Sequence, residues 1–153
     1  AGRRGIAPER LVFAPRVKPD EHLARQRLAD LFLDTLPYNA HTTASDALWA
    51  GLPLLTCMGG AFPGRVAASL LKAAGLPELV THGSSEYETV ALRLAGDKAM
   101  LAGIRARLAG NRATCALFDT DRMRRHLESA YTTMWRRHQR GEPPASFSVD
   151  TMP

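Results

Sequence analysis

A chain of 153 residues with 45% apolar content is long enough for one domain with its own core. No apolar run approaches the ~20 residues that span a bilayer, which excludes a membrane protein of the helical kind. The net charge of +5 comes from 17 Arg against 3 Lys, spread along the chain, with the densest groups at Arg122-Arg124-Arg125 and Arg136-Arg137-Arg140.

Such a balance suits nucleic acid, a membrane surface or an anionic small ligand, and its spread favours a solvated helix face over any of these. Ala1–Gly5 has neither an initiator Met nor the apolar core of a signal peptide, and reads as the cut edge of a longer chain. Cys57 and Cys115 fit neither metal-site nor disulfide-framework spacing, which points to a reducing cytoplasm.

Leu11-Val12-Phe13 follows the turn signal Ala7-Pro8-Glu9 and predicts a buried strand. Pro15 and Pro19 bracket the next loop. A helix is expected from Asp20, as N-cap, to Leu28, with Glu21 in its first turn. On it His22, Arg25, Gln26 and Ala29 share one face. Leu31 to Asp34 predicts a second strand, and Thr43 to Ala50 a second helix closed by Gly51. Pro53 to Thr56 predicts a third strand, followed by a flexible loop over 58–64.

A helix from about Arg65 to Ala74 would bury Val66, Ala67, Leu70 and Ala74 and stop at Gly75. Leu79-Val80 predicts a fourth strand. Two further helices turn Tyr87, Val90, Ala91, Leu94 and then Met100, Leu101, Ile104, Leu108 inward. The last helix, about Thr120 to Arg140, carries Met123, Leu127, Ala130, Tyr131, Met134 and His138 on one stripe. Residues 1–140 thus form one domain, and 141–153 an extended tail without periodicity. Strands alternating with helices on short connections give an α/β class, a doubly wound parallel sheet with its ligand at the strands' carboxyl ends. The loops at 15–19, 35–43 and 57–64 should line that mouth.

Asn39 to Asp46 is the most informative stretch. A strand, a turn and a helix start offer free N–H groups and the positive end of a helix dipole to an anion such as a diphosphate. Thr42 and Thr43 add hydroxyls, His41 precedes them, and Asp46 completes a capping-box pattern with Thr43. Many such caps hold no ligand. His22 and Arg25 form either a base-recognising pair, the imidazole stacking and the guanidinium donating to carbonyls, or a solvated face. The glycine-rich loop lacks a Walker A lysine, and no Gly-x-Gly-x-x-Gly opens the first helix, which argues against the commonest ATP and NAD sites. No catalytic triad, paired carboxylate or metal-spaced cluster stands out, so neither a catalytic nor a metal-ligating residue is assigned.

Several segments resemble the C-terminal catalytic subdomain of the O-linked N-acetylglucosamine transferase family. These are Pro8-Glu9-Arg10-Leu11-Val12-Phe13, Glu21-His22-Leu23-Ala24-Arg25, Leu33-Asp34-Thr35, Asn39-Ala40-His41-Thr42-Thr43, Asp46-Ala47-Leu48-Trp49-Ala50-Gly51-Leu52-Pro53 and Arg65-Val66-Ala67-Ala68-Ser69. The resemblance covers nearly the whole chain, weakening toward Tyr131…Met134-Trp135. It implies the Rossmann-like C-terminal half of a GT-B glycosyltransferase of family 41 type, a transferase moving N-acetylglucosamine from UDP-N-acetylglucosamine to Ser/Thr of an acceptor protein with inversion.

By position, the resemblance implies that His22 stacks on uracil, Arg25 and backbone around Val17 read its edge, and His41, Thr42 and Thr43 hold the diphosphate. Asp46 would accept from the ribose hydroxyls. Family members often place a lysine after the loop proline; Lys18-Pro19 reverses this, leaving Lys18 to reach from one position earlier. No cofactor or metal is implied beyond the UDP-sugar, the helix end and basic side chains offsetting the leaving charge. The first GT-B domain, with its catalytic groups, and tetratricopeptide repeats would precede Ala1, so the isolated segment is expected to be inactive. The alternatives are a GDP-sugar O-fucosyl or an N-glucosyl transferase on the same fold, or a basic binding module whose last helix contacts nucleic acid or an acidic partner.

Overall fold

The structure is a computed structural model describing residues 2–150. Proline fixes φ and needs no N–H partner in a first turn, so Pro19 opens α1 (Pro19–Arg25). Lys18, not Asp20, therefore holds the cap position. Asp20 and Glu21 fall in the first turn, where the helix dipole favours carboxylates. A 3-10 turn, Gln26–Leu28, completes the segment.

The chain then alternates: β1 (Phe32–Leu33), α2 (Thr42–Ala50), β2 (Leu54–Cys57), α3 (Val66–Ala73), β3 (Val80–Thr81) and α4 (Ser84–Gly96). The sheet is parallel in the order β1-β2-β3, with Phe32 opposite Leu54 and Thr56 opposite Val80. Every residue of β2 is buried, so both its faces are covered. Right-handed crossovers put α2 and α3 on one face, where they touch each other. From the other, α4 packs on β2 and β3, and α5 (Lys98–Asn111) packs on α4.

The core joins Leu48, Leu54, Leu55, Leu71, Leu94 and Leu108. Helix α2 buries Ala44, Ala47 and Leu48 and ends at Gly51 in the left-handed region (φ 86°). Its last turn is clasped from outside: Arg112 donates to the Trp49 carbonyl at 3.0 Å with its guanidinium 5.5 Å from the indole, and Phe118 meets Trp49 edge-on. The inward positions of α4 and α5 follow their periodicity, with Val90, Leu94, Leu101, Ile104 and Leu108 buried.

Three expectations change. Leu11–Phe13 is not a strand: Val12 and Phe13 are 86% and 89% exposed, because a strand needs a neighbour for its N–H and C=O groups and this run has none among the described residues. The sheet accordingly has three strands there, not four. In α3 the inward face is Ala67, Ala68, Leu71 and Ala74, leaving Val66 and Leu70 half-buried. Ala68 faces inward where its small side chain lets the helix approach the sheet.

The 20-residue α6 (Thr120–Gln139) is capped by Asp119, which accepts from Arg122 N–H at 2.8 Å, and buries no residue at all. Its stripe of Met123, Leu127, Tyr131 and Met134 is exposed. At Gly141 (φ 70°) the chain turns back, and Arg137 and Arg140 both pair with Glu142. Residues 142–150 form neither helix nor strand. No helix among the described residues is long and apolar enough to cross a membrane.

Candidate functional site

Two loops leave the carboxyl ends of β1 and β2 and are joined there. Asn39 N–H donates to the Pro63 carbonyl at 3.1 Å, and His41 Nε2 lies 3.3 Å from the same oxygen. The His41 ring stacks on Tyr38 at 5.0 Å and meets Phe62 edge-on at 6.0 Å. Within the glycine-rich loop, Gly59 N–H donates to the Gly64 carbonyl at 2.7 Å, so the segment read as flexible is tied at both ends. A Cβ on Gly64 would lie 3.0 Å from the Pro37 carbonyl oxygen and 3.2 Å from Gly59 Cα, so any larger residue there would have to push backbone aside.

The start of α2 differs from the capping-box expectation. His41 occupies the cap position and makes no side-chain cap bond. Thr43 is already the second helical residue, so its hydroxyl cannot turn back as a cap, and the Thr43–Asp46 box does not form. The consequence is an unfilled helix start. The first N–H groups of α2 have no intrahelical acceptor, and Thr42 and Thr43 are exposed. Asp46, half-buried one turn in, has no hydrogen-bond or ion-pair partner among the described residues.

On the α1 side, Pro15, Val17, His22 and Arg25 line one groove of about 550 Å³. Arg25 reaches His22 Nδ1 through Nε (3.1 Å) and a terminal nitrogen (2.7 Å), and donates to the Pro15 carbonyl at 2.6 Å. A guanidinium only donates, so Nδ1 holds the lone pair and, in the neutral ring, Nε2 carries the proton. The Gln26 amide nitrogen lies 3.1 Å from that Nε2; it too only donates, so it adds no second bond to this tautomer. The imidazole is thus held through Nδ1, an orientation suited to presenting a ring face. Lys18 is exposed and its ammonium has no partner among the described residues. Since α1 packs against α2, the structure brings Val17, Lys18, His22 and Arg25 on one helix unit against the helix bearing Thr42, Thr43 and Asp46.

Sequence reasoning missed Asp34 and Asn39. Asp34 is only 6% exposed, and Asn39 1%. Asp34 Oδ1 accepts from Thr35 N–H (2.8 Å) and Ala40 N–H (2.7 Å), while Oδ2 accepts from the Thr56 hydroxyl on β2 (2.6 Å). Its carbonyl accepts from the Tyr87 hydroxyl of α4 at 2.9 Å. Burial first, then the charges of Asp34 and Cys57, raise the Tyr87 phenol above its ordinary value. Asn39 donates to the Thr35 carbonyl at 2.9 Å, while its buried Oδ1 has no partner. An aspartate ending an apolar strand was the available signal.

A parallel sheet covered by helices on both faces, with a helix start open beyond the end of β1, is an α/β arrangement of the Rossmann-like kind. Known proteins narrow this. The model of glycosyl transferase family 41 matches residues 1–127, and the chain belongs to that family. It is 39% identical over 150 residues to a probable UDP-N-acetylglucosamine–peptide N-acetylglucosaminyltransferase, SEC, of Arabidopsis thaliana, covering 97% of this chain and 15% of the relative. It is 40% identical over 140 residues to the UDP-N-acetylglucosamine–peptide N-acetylglucosaminyltransferase of Caenorhabditis elegans, covering 92% of this chain and 12% of that one. Among solved structures, a mutant O-GlcNAc transferase of Thermobaculum terrenum superposes with a TM-score of 0.82 at 39% identity, over 88% of this chain and 26% of that one. The fold is therefore the Rossmann-like α/β type that the sequence implies, and the chain spans only about an eighth to a seventh of the curated relatives named here.

Proposed function

We propose that this chain forms the donor-binding part of a protein O-glycosyltransferase that moves N-acetylglucosamine from its UDP-sugar to Ser/Thr of an acceptor protein, with inversion. The observation that carries the reading is the packing of the His22–Arg25 groove unit against a helix whose first turn is uncapped. In this reading uracil stacks on His22, with Arg25 and the backbone at Val17 at its edge. Thr42 and Thr43 N–H and hydroxyl groups, with His41 and Lys18, take the diphosphate. Asp46, without a partner of its own, accepts from the ribose.

The names of the relatives above, which specify a UDP-N-acetylglucosamine donor and a peptide acceptor, support the same substrates here. The helix start and basic side chains stabilise the leaving UDP without a bound metal. Residues 1–140 act as the nucleotide domain, residues 141–153 as a tail, and an opposing GT-B domain with tetratricopeptide repeats completes the enzyme. Both cysteines are free thiols, in keeping with a cytoplasmic setting.

The basic-module alternative loses weight on α6. Arg124 pairs with Asp121 and Glu128, Arg125 with Asp121, and Arg137 and Arg140 with Glu142. Those four guanidiniums share three carboxylates, which weakens their steering of phosphates.

Calorimetric and NMR titration with UDP tests the proposal. Millimolar UDP is expected to shift His22, Arg25, Thr42 and Thr43 signals, unchanged by EDTA and with weaker effects from GDP. An absence of shifts at those residues overturns it, and stronger GDP binding transfers the reading to a GDP-sugar enzyme.

A further inference from the structure

We propose that Asp34 is a positioning residue that selects which backbone N–H groups of the turn face the donor's diphosphate; this rests on the nucleotide reading above. The N–H groups from Asn39 to Thr43 divide into two sets. Asn39 N–H is taken by the Pro63 carbonyl at 3.1 Å and Ala40 N–H by Asp34 Oδ1 at 2.7 Å. Beyond them, the first N–H groups of α2 have no acceptor within the helix. Asp34 therefore sits at the boundary between N–H groups consumed by the fold and those left open.

Its geometry makes that boundary rigid. One carboxylate oxygen clasps both ends of the 35–40 loop, at Thr35 and Ala40, and the other is anchored at 2.6 Å to Thr56 on the fully buried central strand. Asn39 closes the same loop from within through the Thr35 carbonyl. No cation pairs with this buried carboxylate among the described residues; three hydrogen bonds from the turn and β2 satisfy it. A fixed negative charge at Ala40 also repels an incoming anion from that N–H. The phosphates are thereby confined to the N–H groups that begin α2.

Comparing UDP with uridine separates this role from simple support of the fold. Uridine keeps the base contacts and lacks the phosphates, so a positioning residue for the diphosphate affects only UDP. In Asp34→Ala, UDP affinity should fall about tenfold or more while uridine affinity stays within about twofold of wild type. Asp34→Asn should restore UDP to within about threefold, since its amide oxygen still accepts from Thr35 and Ala40 and its NH2 donates to Thr56. In wild-type protein, the Thr42 and Thr43 amides should shift with UDP, while the Ala40 amide stays in place and protected from exchange.

Equal loss of UDP and uridine in Asp34→Ala, or no loss of either, overturns the proposal. So does Ala40 as the most strongly shifted wild-type amide. If Asp34→Ala does not fold, the wild-type Ala40 readout and the Asp34→Asn ratio decide alone, an Asn variant that loses UDP like a deletion counting against the role. UDP that moves no wild-type amide overturns the nucleotide reading itself, with Ala40 protection still measurable, and so is a distinct result.

Discussion

Helices α2 and α6 make opposite use of their sequences. The nine residues of α2 include two threonines, a serine and an aspartate, yet Ala44, Ala47 and Leu48 are wholly buried. The twenty residues of α6 carry a clean apolar stripe and bury nothing. What separates them is not amphipathicity but the presence of a sheet beneath. Short connections hold α2 over β2, whereas α6 follows the last strand and packs on no other element to a comparable degree. Periodicity defines a face; connectivity decides whether anything lies against it.

The sharpest break in this comparison comes from truncating one apolar residue on each helix. Leu48→Ala should cost about 2–5 kcal/mol in urea unfolding, since the cavity opens in a close-packed core. Met134→Ala, on the exposed stripe, should stay within about 0.5 kcal/mol. A large loss at Met134 would show that the stripe is covered in solution. Gly64→Ala should cost about 1–3 kcal/mol, because the added methyl meets two backbone atoms that cannot swing away. Its effect should extend to α2 through the Asn39–Pro63 bond, seen as faster exchange of the Asn39 amide.

Tyr87→Phe gives a modest change, about 1 kcal/mol at neutral pH from the lost bond to the Asp34 carbonyl. Its pH dependence is the sharper readout. The folded-state value is raised by burial and then by the Asp34 and Cys57 charges. The contribution is therefore fully present below the ordinary tyrosine value of about 10 and is lost as pH rises through the folded-state value. Melting temperatures from pH 8 to 11 should fall more steeply for wild type than for Tyr87→Phe; parallel curves would place the titration elsewhere.

Much of the alternating body was legible because its signals were local. Gly51 and Gly75 both stop helices with positive φ, and Pro53 marks the start of β2, whereas Pro19, read as a loop residue, in fact opens α1. The errors fell where partners decide. Three apolar residues at Leu11–Phe13 looked like a strand, but among the described residues no strand pairs with them. Thr43 and Asp46 had capping-box spacing, yet the helix begins one residue earlier and the box is displaced. Asp34 escaped notice because its three donors come from residues 35, 40 and 56, a convergence that exists only after folding. His22 and Arg25 were paired correctly by helical spacing, while the Pro15 carbonyl that locks them was not foreseeable from it.

The clasp on Trp49 gives α2 an unequal pair of ends. At its last turn the Arg112 cation bonds a terminal carbonyl, so the negative pole of the helix is compensated within the chain. At its first turn the cap residue, His41, makes no side-chain cap bond, and the positive pole is left over. The helix is a rod with one terminal wired and one terminal live. An anion arriving at the open end completes a circuit already closed at the other, with no helix to be formed or moved in the process. Much of the ordering that such a ligand would otherwise impose is already built into the folded chain.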